Sequence, residues 1–306
     1  MRIAICAVVL AVGLPAAVHA QEVRGDYQAV RPEAWYSSDA EGNHTRKLGV
    51  GWDWRRRDIE HWVGAKVEHA RFSGKGWAEN EQRVYLRAAG GPEAWRWQAT
   101  VGSNGHDLLG NASWHTTDRF RKELFVEREV LETEEGARRH LVQTFAGGAI
   151  DIPFNDRWSA TVLGGLQDFG SGDNLRTHAR ANLSFLVLPE QGLSLQWRNR
   201  YYRNSDPYEG SYYSPPWYRE SLGVVSWRRY LGEGYHLRAA VGWGRQKSAG
   251  DESRRARMAE VWFETPRWKR SWLRAYAGYS DTPVLTNTGR GRYAYRYVSV
   301  EAVVAF

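Results

Sequence analysis

The chain has 306 residues and a formal net charge of +7, from 42 Lys and Arg against 35 Asp and Glu. A mean hydropathy of −0.62 excludes a bundle of membrane-spanning helices: after residue 18 no run approaches the ~20 apolar residues that such a helix needs. Aromatic residues make up 13 % of the sequence, too many for a chain that cannot collapse.

The first predicted element is a leader. Arg2 precedes the apolar run Ile3 to Leu14, and Val18-His19-Ala20 closes it with a small-x-small ending. That order reads as a secretory signal peptide over residues 1–20, cleaved after Ala20. The single Cys, Cys6, lies inside it, so the exported chain is expected to have no disulfide framework and no Cys-based metal site. Residues 21–26 read as a short N-terminal segment, and 27–306 as one domain.

From residue 27 onward the text alternates with a period of two. The clearest case is Leu175-Arg176-Thr177-His178-Ala179-Arg180-Ala181-Asn182-Leu183-Ser184-Phe185, in which even positions are polar and odd ones apolar or small. Such alternation marks a strand with one dry and one wet face. Eight strands are predicted over 27–38, 45–54, 60–72, 80–89, 94–102, 109–116, 121–132 and 140–150. Eight more follow over 157–169, 175–188, 192–204, 217–230, 235–247, 255–264, 271–281 and 292–306. No helix is expected after the leader. Of the Pro residues, Pro32 alone falls inside a predicted strand, as suits a residue that cannot donate to a ladder.

Gly90-Gly91-Pro92-Glu93, Pro189-Glu190-Gln191 and Gly232-Glu233-Gly234 read as tight turns; stretches 206–216, 248–254 and 282–291 read as longer loops. Short and long connections are expected to alternate, with every long loop outside the cell and every short turn in the periplasm. Trp95, Trp97, Trp158, Trp197, Tyr235 and Tyr279 are expected near strand ends, at headgroup level. The chain ends on a strand closed by the aromatic Phe306. In hydrocarbon every backbone group must pair internally, so a sheet can span only when closed. The expected fold is therefore all-β: a transmembrane antiparallel up-and-down β-barrel of about 16 strands in the outer membrane of a Gram-negative bacterium. A soluble sandwich explains neither the terminal Phe306 nor the loop lengths.

Turning the apolar parity outward leaves a charged inner wall. Its candidate substrate-pathway residues are Arg83, Arg87, Glu123, Glu127, Glu129, Arg176, His178, Arg180, Arg198, Arg200, Arg238 and Arg274. Lys47, Lys66, Arg96, Asp53, Glu68, Glu260, Glu301, His236, Gln98, Gln167, Gln196 and Gln246 share that wall, where a water-filled lumen would keep charges hydrated. Arg176, Arg180, Arg198 and Arg200 are expected to form one contiguous basic patch, so the pore should prefer anions. The bland reading is that Arg and Glu pair across strands and fill space. The spacing of Glu123, Glu127 and Glu129 resembles that of acid/base carboxylates only weakly, and no enzyme is expected. The His spacing fits no metal site and no cofactor is implied.

Glu123-Leu124-Phe125-Val126-Glu127-Arg128-Glu129, Asp168-Phe169-Gly170-Ser171-Gly172-Asp173-Asn174, Tyr212-Tyr213-Ser214-Pro215 and Trp227-Arg228-Arg229-Tyr230 occur in that order. Through them the region from 121 to the end resembles barrels of exopolysaccharide secretion: poly-N-acetylglucosamine export porins of the PgaA type and, more distantly, cellulose-secretion porins of the BcsC type. The resemblance implies a sixteen-stranded barrel acting as a passive conduit for exopolysaccharide in biofilm formation. Phe306 resembles the terminal aromatic read by the barrel-assembly machinery. Such exporters usually carry a periplasmic helical-repeat domain before the barrel, so docking to periplasmic enzymes here is expected either to use a separate periplasmic partner or not to occur. A partly deacetylated, cationic polymer would call for an acidic lumen, whereas this chain is basic. The alternative is a general or anion-preferring porin, or a barrel with a surface-binding role. Lipid and lipopolysaccharide are expected partners, and nucleic acid is not.

Overall fold

The computed structural model describes residues 25–170, 174–210, 212–232, 234–281 and 294–306. The leader at 1–20, Glu233 of one turn and the 282–291 loop lie outside the described residues. Strands β1 to β8 are Tyr27–Asp39, His44–Arg56, Trp62–Gly74, Trp77–Gly90, Trp95–Ser103, Leu108–Thr116, Lys122–Val130 and Val142–Pro153. Strands β9 to β16 are Trp158–Asp168, Leu175–Leu188, Leu193–Asn204, Trp217–Leu231, Tyr235–Ser248, Arg254–Glu264, Trp272–Ser280 and Tyr295–Ala305. Each pairs antiparallel with its neighbour in sequence, and β1 pairs with β16. The result is a closed up-and-down barrel, as the alternation implies. Pro32 sits in β1 as expected, while β8 runs further than expected and also takes in Pro153.

The barrel is inside out relative to a water-soluble domain. On β2, Leu48, Val50 and Trp52 are 62, 53 and 50 % exposed, whereas Lys47 beside them is 2 % exposed. A face of exposed Leu, Val and Trp around a closed sheet suits hydrocarbon, since closure leaves no unpaired edge. The chain termini share one end, here called the terminal end; the other is the distal end. Towards the terminal end outward aromatics pair across or along strands: Trp52 with Trp54 (6.1 Å), Trp95 with Trp114 (6.3 Å), Trp158 with Phe185 (4.7 Å) and Tyr235 with Phe263 (6.0 Å). These rings form a girdle of the kind that sits at headgroup level. Trp197 departs from expectation, because it lies within β11, opposite Leu183 and Gly223.

Two further expectations need correction. A short helix, α1 (Glu134–Arg138), lies between β7 and β8, and Pro189–Gln191 forms a 3-10 turn. Thr133 caps α1 by accepting a hydrogen bond from the Gly136 amide, with Glu134 and Glu135 in the first turn. Connections also do not alternate strictly. Among the described connections the long ones, 131–141 and 205–216, are both distal, but 40–43, 75–76 and 104–107 at the same end are as short as the turns opposite.

Candidate functional site

The inner wall is paved with long cations lying flat across small residues. Arg87 on β4 reaches Glu33 on β1 at 2.9 Å, and Lys66 on β3 reaches the same carboxylate at 3.1 Å. Both cross β2 where Gly49 and Gly51 face inward. A Cβ at Gly51 would stand 3.0 Å from Arg87 Nη1, and one at Gly49 would stand 3.4 Å from Lys66 Cδ. Arg31 binds Glu301 and flanks Asp53, which Arg56 also holds at 2.5 Å. Arg83 is the hub of this side: its guanidinium meets Glu81 at 2.6 Å, Glu129 at 2.7 Å and Glu68 at 3.3 Å. Lys47 adds contacts to Glu132 (3.0 Å) and Glu129 (3.2 Å), and Thr45 donates to Glu132. These ties bind the distal end of β7 to β2–β4.

The opposite side repeats the device with more aromatic and apolar neighbours. Arg176 is buried between the rings of Phe169 (4.6 Å) and Tyr202 (4.5 Å), and donates to Asn204 and to the Tyr213 carbonyl. His178 packs against Phe145 and meets Gln167 at 2.9 Å. Arg180 lies opposite Arg200 and Leu163. Arg200 pairs with Glu220 at 3.2 Å. Arg198 on β11 reaches Glu260 on β14 at 3.2 Å, over the small and apolar inner residues of β12 and β13, Val224 and Ala240 among them. Arg274 pairs with Glu264 at 3.1 Å and lies over Trp262 and Trp272. Arg238 stands opposite Arg228 and Trp262.

The four arginines Arg176, Arg180, Arg198 and Arg200 do lie on two adjacent strands, yet they do not form a bare basic patch. Glu220 and Glu260 pair with two of them, and Arg176 is sealed from the lumen. The sequence reading placed Glu260 on the wall but missed Glu220, Glu33 and Glu132. Glu129 holds Lys47 and Arg83, Glu123 holds Arg121 at 2.9 Å, and Glu127 is half-buried on β7 between them. Phe306 is 70 % exposed, and its amide donates to the Gln28 carbonyl at the closing seam.

Two aromatic features carry the rest of the site. The first is a ladder on the inner face of β14, β15, β16 and β1. Trp262 stacks on Tyr276 (5.7 Å), Tyr276 meets Tyr297 (5.9 Å), and Trp35 stacks on Tyr297 (5.6 Å). Tyr295 follows at 5.8 Å, at the distal end. The second is a cluster in the distal mouth, where Leu131, Phe169, Tyr212, Tyr295 and Tyr297 pack as one core. Tyr212 stacks on Phe169 at 3.9 Å and accepts a hydrogen bond from Asn174. Leu131 follows β7, and Tyr295 and Tyr297 are on β16. β7 and β8, which the loop bearing Leu131 joins, lie seven and eight steps from β16 round the barrel, so this cluster crosses the lumen. Loop 131–141 folds inward to make it, and Ala137 of α1 packs on Ala70 and Phe72 of β3. The distal mouth of the lumen is spanned by this packed cluster. The inner parity of Trp35, Trp262, Tyr276 and Tyr297, shared with the wall charges, was the available signal for the ladder.

This architecture recurs in solved structures. One described as a bacterial polysaccharide outer membrane secretin superposes with a TM-score of 0.65 over 92 % of this chain and 98 % of that one, at 14 % identity. The chain is an outer-membrane-type β-barrel. OccK5 (OpdH) of Pseudomonas aeruginosa matches with a TM-score of 0.46 at 8 % identity, over 94 % of this chain and 100 % of that one. OccD1 (OprD) also gives 0.46 at 8 % identity, over 92 and 96 % of the two chains. No protein-family model and no curated protein sequence matches the chain.

Proposed function

We propose that this barrel is a gated conduit for a polysaccharide across the outer membrane, its terminal end in the periplasm and its distal mouth outside. The observation that carries the reading is the aromatic ladder from Trp262 through Tyr276 and Trp35 to Tyr297. A sugar ring presents an apolar face of C–H groups to a π-surface and hydroxyls at its rim. A row of rings, with Trp262, Tyr276 and Trp35 half-buried and Tyr297 buried beside them, flanked by Arg and Glu, offers both kinds of contact at repeated intervals. Such contacts are individually weak, as conduction requires, since a cargo must leave each site as readily as it enters. The paired wall supports the reading too: with Arg198, Arg200, Arg87 and Arg274 each held by a carboxylate, no strong single-sign field would trap a polymer. The likeness to a polysaccharide secretin over nearly all of that chain adds to it.

The test is binding of linear β-linked oligosaccharides to the purified barrel, followed by Trp fluorescence. Removing two rings with Trp262→Ala and Tyr276→Ala should weaken binding by at least tenfold while the wall charges stay in place. Affinity unchanged in that double variant would count against the ladder as a glycan track.

A further inference from the structure

The outer face at the distal end carries cations of a different kind from those inside. On β12, β13, β14 and β16 the outward cations nearest the distal loops are Arg219, Lys247, Arg245, Arg255, Arg257 and Arg296. Arg219 stands directly across the ladder from Lys247, and Arg245 directly across from Arg255. Like charges so placed destabilise a sheet. Among the described residues Arg257 has a carboxylate, Asp281 at 2.7 Å, but Arg219, Lys247, Arg245 and Arg255 have none. Most inner-wall cations meet a carboxylate, whereas here four within three strands have none, Arg219 lying only over the Trp217 ring.

Their level on the barrel says what they meet. Tyr201 lies opposite Arg219 and Trp243 opposite Arg257, and both rings face outward. Nearer the terminal end the outward residues become Val225, Val241 and Val261. A band of basic and aromatic residues followed by an apolar one is the profile of a membrane interface read from headgroup to acyl chain. The two like-charge pairs are offset by two residues along β13 and one strand across, roughly 7 Å by 5 Å. That gives two neighbouring anion positions on one face of the sheet.

We propose that this face of β12–β14 docks a phosphorylated glycolipid of the outer leaflet, the lipid A part of lipopolysaccharide. One phosphate sits between Arg219 and Lys247 and the other between Arg245 and Arg255, with acyl chains against Trp243, Val241 and Val261. The inference rests on the orientation proposed above, with the distal mouth outside, and does not depend on what passes through the lumen.

The test uses the purified full chain in neutral detergent, reading apparent affinity from the shift of the thermal unfolding midpoint. Bis-phosphorylated lipid A should raise the midpoint at low concentration, dephosphorylated lipid A and inorganic phosphate should not, and phosphatidylglycerol should need at least tenfold more. A variant with Arg219→Gln, Arg245→Gln and Arg255→Gln should lose at least tenfold in affinity for lipid A. Without lipid the same variant should be no less stable than the parent, because it loses like-charge repulsion and breaks no ion pair. Unchanged affinity in the variant, a variant destabilised without lipid, or phosphatidylglycerol binding as tightly as lipid A would each overturn the assignment.

Discussion

Replacing Arg83 by Ala is expected to lower the stability of the barrel by about 3–5 kcal/mol, the largest single-residue effect in the wall. The Arg83 side chain is fully buried, and Glu68, Glu81 and Glu129 converge on it with side chains less than a tenth exposed. Removing the cation leaves three carboxylates in a confined space with Lys66 and Lys47 as their remaining counter-charges. The measurement is the thermal midpoint of the shift from compact to unfolded mobility on a gel. Restoring the local charge balance with Glu81→Gln, the carboxylate that meets no other cation among the described residues, in the Arg83→Ala background should recover part of the loss. The cost comes from uncompensated charge more than from the pairing itself. A midpoint unmoved by Arg83→Ala would mean that the pairs are hydrated and contribute little.

The second large effect is expected at the distal mouth. Leu131 and Tyr212 are both fully buried in the cluster that spans the lumen, and neither belongs to a strand. Truncating them with Leu131→Ala and Tyr212→Ala removes the packing that holds two loops together across the lumen, and leaves the hydrogen-bonded sheet intact. Single-channel conductance in a planar bilayer should therefore be small for the parent protein and severalfold larger for the double variant, with compact gel mobility retained in both. Equal conductance in the two proteins would place the constriction elsewhere.

Much of this architecture was legible in the sequence because a barrel is a local code. Alternation such as that of Leu175 to Phe185 fixes a strand and both its faces within ten residues, with no knowledge of the partner strand. What was missed depends on contacts that alternation does not encode. Helix α1 is five residues long, shorter than two turns, so it could show no 3.6-residue period; its cap, Thr133 before Glu134 and Glu135, was the readable trace. The pairing of Arg198 with Glu260 and of Arg87 with Glu33 needs register summed over three strands. For that reason the basic excess on β10 and β11 looked bare in the sequence. Trp158 and Tyr235 were placed near strand ends and lie in the girdle, whereas Trp35, Trp262 and Tyr276 drew no assignment although their parity turns them inward. The spanned mouth was the least legible feature, since loops 131–141 and 205–216 meet only in three dimensions.

The central claim, a glycan path closed at one end, is tested most directly by flux from liposomes loaded with a fluorescent linear oligosaccharide and containing the reconstituted barrel. The parent protein should retain the sugar, and the Leu131→Ala, Tyr212→Ala variant should release it, with release slowed when Trp262→Ala and Tyr276→Ala are added. A mouth-opened barrel that passes salt but holds back the oligosaccharide would contradict the account.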